Sequence, residues 1–167
     1  MTVTVKIDSR LRSPPLAVPF RVVLVEPEIP QNTGSIARTC AATATPLHLV
    51  GKLGFRIDEH AVRRAGLDYW HLVDLHSHAA LPDFVAAHPA ARLTLFSATA
   101  TQSYLDAELA PGDALVFGKE SVGLPRELLE AHAARVFGIP MPGAVRSLNL
   151  SNAVAVVLFE ALRRFAQ

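Results

Sequence analysis

The chain has 167 residues, a length that suits one domain able to bury about two-thirds of the surface that its unfolded form exposes. Half of the residues are hydrophobic and 19% are charged, which is typical of a globular protein and excludes a disordered one. The net charge of +1 excludes a broadly cationic surface, so any binding of nucleic acid needs a local basic cluster. The single cysteine, Cys40, excludes a disulfide framework and favours a reducing, cytoplasmic compartment.

The first 19 residues mix polar, basic and proline positions and lack the apolar core of a secretory signal. We interpret residues 1–19 as a flexible extension and residues 20–167 as the domain; an expression artefact is the alternative for the extension. No apolar run is long enough to span a bilayer, so we expect no association with a membrane.

Short apolar runs alternate with helical stretches along the rest of the chain. Strands are predicted over residues 20–25, 46–51, 92–97, 114–117 and 135–139. Helices are predicted to begin after the possible caps Asn32 and Thr33, near residue 79, at Pro125 and at Asn149. This alternation predicts a single-domain α/β fold with a mostly parallel sheet and helices on both faces.

The last predicted helix, residues 149–165, is apolar on every face between Ala153 and Phe159. A helix at a protein surface has a polar stripe, so this helix needs cover on two sides. Its own sheet supplies one side, and we expect a second copy of the chain to supply the other. This predicts a homodimer through the C-terminal helix. Complete burial inside one copy is the alternative.

Common nucleotide-binding and metal-binding patterns are missing. No G-x-G-x-x-G follows a predicted strand and no G-x-x-x-x-G-K-[ST] occurs, which excludes a Rossmann dinucleotide site and a P-loop. The seven histidines are scattered, and His76 and His78 lie two apart without a third ligand at a suitable spacing. We therefore interpret the histidines as surface residues and expect no metal.

Three loops follow predicted strands, at residues 96–99, 118–123 and 139–143. Open α/β sheets bind ligands at the carboxyl ends of their strands, so these loops are the candidate site. Gly118 and Gly123 allow a close backbone approach or a positive φ. The site also has apolar side chains that suit an adenine ring, namely Ile139, Met141 and Leu148.

The third loop continues into a dense group of hydrogen-bonding side chains, namely Arg146, Ser147, Asn149, Ser151 and Asn152. A helix start needs one such residue as its cap. Five within seven positions indicate a polar ligand or a tight crossing of the backbone.

Residues 26–38, 117–125 and 139–160, in this order and at these separations, resemble the three motifs of the SPOUT superfamily of RNA methyltransferases, in its SpoU-like 2'-O-methylating branch. Within that branch, residues 63–69 resemble the small enzymes that methylate the wobble nucleotide of tRNA. The resemblance covers residues 20–165. It implies a homodimer, a C-terminal trefoil knot and S-adenosylmethionine as the cofactor.

The resemblance also implies roles for single residues. The implied cofactor contacts are Phe96, Gly118, Ile139, Met141, Ser147, Leu148 and Asn152. Arg38 matches the motif-one arginine, which the family uses in catalysis. A guanidinium clamps phosphate and stabilises a developing alkoxide, but it hardly deprotonates, so we assign it to positioning and electrostatic stabilisation. Glu120 matches an acidic position whose role is structural or catalytic.

The residues that we expect to contact RNA are Asn32, Arg38, Arg63, Arg64 and Tyr69. Asn32 would orient the loop beside it. Arg63 and Arg64 suit phosphate contacts in the anticodon stem-loop, and Tyr69 suits stacking on an unpaired base. A solvated surface helix is the alternative for the two arginines, and a core position at a strand start is the alternative for Tyr69.

The expected function is metal-independent 2'-O-methylation of the wobble nucleotide of tRNA, cytidine or uridine 34. Val122 and the pair Ala144 and Val145 depart from the wobble-type pattern, and they bear on the choice of RNA more than on the cofactor. The alternatives are a methyltransferase for ribosomal RNA, a catalytically silent RNA-binding protein of the same fold, and a nucleotide-binding α/β protein of unrelated function.

Overall fold

A computed structural model describes residues 11–56 and 69–165. Within these ranges the chain forms six strands: β1 Arg21–Val25, β2 Leu47–Val50, β3 Leu75–His78, β4 Leu93–Phe96, β5 Ala114–Phe117 and β6 Val136–Phe137. The same ranges hold four α-helices: α1 Pro30–Ala42, α2 Leu81–Ala87, α3 Arg126–Ala131 and α4 Leu150–Phe165. Short 3-10 turns occur at Trp70–Leu72, Tyr104–Asp106 and Ala133–Arg135.

All six strands pair in parallel, in the order β3-β2-β1-β5-β4-β6. The predicted α/β fold with a mostly parallel sheet is confirmed. The chain builds outward from β1 through β2 to β3 and then crosses to the other side of β1. The order of strands therefore reverses between β1 and β5, and crevices for ligands form at such switch points.

Helices cover both faces of the sheet, as predicted. α1 and α4 pack on one face, where Val22, Leu24 and Leu115 are completely buried. α2 and α3 pack on the other face, against Val23 and Val116. Successive residues of β1 thus pack into the cores on opposite faces of the sheet, because side chains alternate along a strand. This explains the nearly continuous apolar sequence of β1.

Three predicted elements need correction. β3 was missed because its sequence, Leu-His-Ser-His, has no apolar run and the strand lies at the sheet edge. α1 begins at Pro30, since proline suits the first helical turn, so Asn32 and Thr33 are buried inside the helix and do not cap it. β6 is only Val136–Phe137, shorter than the predicted 135–139.

The face of α4 that packs on the sheet is buried, at Val154, Val157, Leu158 and Ala161. Its opposite face is open, with Val156 38% exposed and Phe159 56% exposed. Complete burial of α4 inside one copy is therefore wrong for the described part of the chain. Among the described residues, no helix has the length and apolar character needed to cross a membrane.

Residues 11–20 lack regular secondary structure, yet Leu16 packs against the core under α1 and α4. Phe20 is completely buried, and its ring centroid lies 5.8 Å from that of Phe165. Cys40 is buried in the same core, and burial raises the pKa of its thiol to about 12. This cysteine is therefore a protonated packing residue. The boundary at residue 19 stays a prediction.

Candidate functional site

Two loops meet at the switch point of the sheet, one after β1 and one after β5. Lys119 Nζ lies 3.0 Å from Glu26 Oε2, and the backbone N–H of Ser121 donates to Glu28 Oε2 at 3.0 Å. The hydrogen bonds from Ser121 lower the pKa of Glu28, and the hydrogen bond to Glu26 raises the pKa of Lys119. Glu26 holds a φ of 51°, a left-handed conformation that is strained for this residue type. This ion pair and this hydrogen bond to a carboxylate hold the loop after β1 against the loop after β5.

The Glu120 carboxylate fixes the start of α1. It accepts hydrogen bonds from the backbone N–H groups of Glu28 at 2.7 Å and Ile29 at 3.1 Å. It also accepts one from the side-chain amide of Asn32 at 3.1 Å. With both oxygens engaged by donors of its own chain, Glu120 has a structural role here, one of the two roles predicted for it.

Asn32 connects the Glu120 carboxylate to the start of α4. Its side-chain oxygen accepts a hydrogen bond from the amide of Asn149 at 2.9 Å. The side-chain oxygen of Asn149 in turn accepts from the backbone N–H of Ser151 at 2.9 Å and from its hydroxyl at 2.6 Å, and so caps α4. The chain of Glu120, Asn32 and Asn149 joins all three sequence motifs. We call it the polar relay.

A cleft of about 600 Å³ opens at the carboxyl ends of β4, β5 and β6, between these loops and the start of α4. Six of the seven implied cofactor contacts line it: Phe96, Gly118, Ile139, Met141, Ser147 and Leu148. Asn152 is not among the lining residues. The rings of Phe96 and Phe117 stack with centroids 5.0 Å apart and form an apolar wall. The size and the mixed lining suit a small organic ligand.

The second loop crosses itself at the cleft. A side chain on Gly118 would lie 2.1 Å from the carbonyl carbon of Gly123 and 2.2 Å from the backbone nitrogen of Leu124. Gly123 has a φ of +74°, and its N–H donates to the carbonyl of Lys119 at 2.9 Å. The two glycines thus serve the two purposes predicted for them, close approach at Gly118 and positive φ at Gly123.

Of the implied catalytic and RNA-binding residues that the structure describes, Asn32 lines the cleft, whereas Arg38 and Tyr69 do not. Arg38 is on the exposed side of α1, and its guanidinium carbon lies 5.3 Å from the ring centroid of Tyr69. The Tyr69 hydroxyl donates to the carbonyl of Gly34 at 2.8 Å, so this partly buried ring packs on α1. Arg63 and Arg64 lie outside the described residues.

The residues that depart from the wobble-type pattern are exposed. Val122 lines the cleft with 74% of its surface exposed, and Val145 is 67% exposed. Ala144 is exposed as well. These three apolar positions therefore face solvent in one copy of the chain, at or next to the cleft.

The histidines are arranged differently from the prediction. His48 is 1% exposed, so its interpretation as a surface residue is wrong. Burial first, and then the neighbouring histidines and Arg21, lower the pKa of His48 to about 3, so its imidazole is neutral. Sequence spacing did not reveal that His48, His78 and His88 are neighbours, because they come from β2, β3 and the end of α2, which the fold brings together.

Comparison with known proteins identifies the family of the chain. The model of the SpoU rRNA methylase family matches residues 19–159. The tRNA (cytidine(34)-2'-O)-methyltransferase of Burkholderia ambifaria is 46% identical over 149 residues, which cover 87% of this chain and 95% of that protein. The corresponding protein of Saccharophagus degradans is 44% identical over 146 residues, 87% of this chain and 95% of that one.

Two solved structures share the fold. One, described as "Structural insights into the 2-OH methylation of C/U34 on tRNA", superposes with a TM-score of 0.82 at 48% identity and covers 89% of this chain and 97% of its own. An AdoMet-bound rRNA methyltransferase from Sinorhizobium meliloti has a TM-score of 0.77 at 26% identity, over 93% of this chain and 62% of that one. Because the family match runs from β1 into α4 and takes in all three loops of the cleft, this chain belongs to the SpoU rRNA methylase family.

Proposed function

We propose that this chain transfers a methyl group from S-adenosylmethionine to the ribose 2'-hydroxyl of cytidine or uridine 34, the wobble nucleotide of tRNA. The observation that carries the proposal is the cleft in which loops after three parallel strands meet the polar relay. The near-complete coverage of relatives named for cytidine 34 supports the choice of nucleotide.

The cofactor would bind in the cleft. Ile139, Met141 and Leu148 offer apolar contacts for an adenine ring, and the second loop lines the same cleft through Gly118 and Gly123. Ser147 supplies a hydroxyl in the same lining. S-adenosylmethionine would supply an electrophilic methyl group there. The residues of the chain would hold the cleft in shape, because the polar relay ties the second loop to the start of α1 and to the start of α4.

Arg38 would hold the substrate and not the cofactor. Its guanidinium is exposed and lies outside the cleft, which fits a bidentate clamp on an RNA phosphate beside the reacting ribose. Such a clamp aligns the 2'-hydroxyl for attack and stabilises the negative charge that develops on its oxygen. Asn32, at the cleft and at the first turn of α1, connects the same helix to the site.

A homodimer through α4 would complete the site. Val156 and Phe159 leave apolar surface open on α4, and α1 packs beside α4 on the same face of the sheet. A second copy that covers α4 would therefore lie next to the exposed side of α1, where Arg38 projects. This arrangement would allow an RNA bound at one cleft to contact both copies.

The proposal also includes a trefoil knot and action in the cytoplasm. Family membership supports a C-terminal trefoil knot. The single cysteine and the proposed tRNA substrate support action in the cytoplasm. The neighbour from Sinorhizobium meliloti is covered over only 62% of its length, whereas the C/U34 structure is covered over 97%, which favours tRNA over ribosomal RNA.

A matched pair of substrates tests the reaction. One is an anticodon stem-loop with a ribose at position 34, and the other has 2'-deoxyribose at that position only. We expect labelled methyl from S-adenosylmethionine to enter the first and not the second. Equal labelling of both would contradict 2'-O-methylation at this position. No labelling together with no binding of S-adenosylmethionine would favour a silent RNA-binding protein.

A further inference from the structure

Three imidazoles meet on the face of the sheet opposite α1 and α4. His48 comes from β2, His78 ends β3, and His88 caps the C-terminal end of α2. One ring nitrogen from each lies within 4.8 Å of the other two. His48 Nδ1 and His78 Nε2 are 3.0 Å apart. We call these three residues the histidine cluster.

His48 is the buried member of this cluster. The residue is 1% exposed, and its Nδ1 is the ring nitrogen that faces His78. Its other ring nitrogen, Nε2, has no hydrogen-bond partner among the described residues and would not be the ligand atom, because one imidazole binds an ion through one nitrogen. The imidazole is also enclosed by rings, with Phe84 and His88 each at a centroid distance of 4.9 Å.

We propose that the histidine cluster binds one divalent transition-metal ion of the zinc type. Imidazole nitrogen is a preferred ligand of zinc, copper and nickel, and three protein ligands leave the fourth zinc position for water. Two nitrogens bound to one tetrahedral zinc ion lie about 3.3 Å apart. The contact between His48 and His78 already has this spacing, and the remaining separations need to shorten by at most about 1.5 Å.

The chain leaves room for this adjustment and a path for the ion. His78 and His88 are half-buried, and His88 stands at the end of α2, where its side chain is not held inside a helix. His76 is not part of the ligand set, because its Nε2 is bound to Asp74 Oδ1 at 2.8 Å. The His76 ring stacks on that of His48 with centroids 4.7 Å apart and so helps to hold the buried His48 side chain in place.

The ion would join β2, the edge strand β3 and α2, and so strengthen an edge of the sheet whose sequence is only weakly apolar. None of the three histidines lines the cleft, and β1 stands between this part of the sheet and the strands that carry the cleft. The proposal is therefore independent of the proposed methyl transfer.

Zinc titration of the tag-free protein tests the site. The full chain is stripped with a chelator, and Zn²⁺ binding is then measured by calorimetry, with thermal unfolding followed in parallel. We expect one Zn²⁺ per chain and a higher Tm with Zn²⁺, because an ion that binds only the folded state stabilises it. Substitution with Co²⁺ should give the visible absorption of a tetrahedral complex.

Two single variants separate this site from general binding to histidine. His88→Ala removes a half-buried ligand at the end of a helix and should weaken Zn²⁺ binding by at least about tenfold. His71→Ala removes an exposed histidine outside the cluster and should bind as the wild type does. Equal affinity of the wild type and His88→Ala would overturn the proposal. So would a wild-type Tm that Zn²⁺ does not raise.

Discussion

Replacing Gly118 by alanine perturbs the cleft at the point where the second loop crosses itself. The added carbon would lie 2.1 Å from the carbonyl carbon of Gly123 and 2.2 Å from the nitrogen of Leu124. Both are backbone atoms, so no side chain can rotate away to relieve the overlap. The two segments must separate by more than an ångström before they reach ordinary contact.

The cost follows from that displacement. Overpacking a well-packed site costs about 1–3 kcal/mol, and a clash with backbone lies at the upper end of that range or above it. A loss of about 3 kcal/mol lowers the Tm of a domain of this size by about 6–12 °C. Gly118 and Gly123 both line the cleft, so the affinity for S-adenosylmethionine should fall by at least about tenfold, or about 1.4 kcal/mol.

Two other glycines give matched controls for the same substitution. Gly143 has no atom within 4 Å of an added side chain and no positive φ, so Gly143→Ala should change stability by less than about 0.5 kcal/mol. Gly123 has open space but a φ of +74°, so Gly123→Ala should cost about 1 kcal/mol. Thermal unfolding and calorimetry with S-adenosylmethionine measure all three variants. If Gly118→Ala matches Gly143→Ala in both Tm and Kd, the reasoning is refuted.

Three further predictions concern other parts of the molecule. Arg38→Ala should abolish methyl transfer but leave the Kd for S-adenosylmethionine nearly unchanged, because Arg38 lies outside the cleft; equal loss of both would exclude its proposed role. Val156→Asp should yield monomers in light scattering, since it puts a charge on the open apolar face of α4, and an unaltered dimer would contradict the interface. Hydrogen bonds from Arg163 and then Arg164 lower the pKa of Glu160 to about 2, below its ordinary 4.5. The stability from this carboxylate is therefore present above pH 4.5 and lost as the pH falls towards 2. The Tm advantage of the wild type over Glu160→Gln should shrink in the same window; a constant difference would contradict the assignment.

Much of the fold was predictable because the central strands are buried on both faces. The run 20–25 and the run 114–117 are nearly all apolar, and the structure pairs them in parallel at the centre of the sheet. The edge strand β3 was not predictable in the same way. Its Leu-His-Ser-His sequence carries no apolar run, and its pairing with β2 alone defines it.

The candidate site was predictable in its loops but not in its connections. Motif resemblance identified six residues that line one cleft. It did not reveal that Asn32 bonds to Glu120 and Asn149, which are 88 and 117 positions away along the chain. Local reasoning made Asn32 a helix cap, because that is the common role of asparagine near a helix start. Only the tertiary structure brings its partners within reach.

The histidine cluster illustrates the same limit. His48 and His78 are 30 positions apart in sequence, and strand pairing brings their rings into contact. Sequence spacing identifies metal ligands when they share one helix or one loop. It has no means of finding ligands that come from two strands and the end of a helix.

Methyl transfer from labelled S-adenosylmethionine to total tRNA, with the modified nucleoside mapped by mass spectrometry, tests the central claim most directly. We predict a single 2'-O-methyl group on cytidine or uridine at position 34. Label on ribosomal RNA with none on tRNA would contradict the proposed substrate while leaving the chemistry intact. A methyl group on a base, or at another tRNA position, would contradict the proposed reaction.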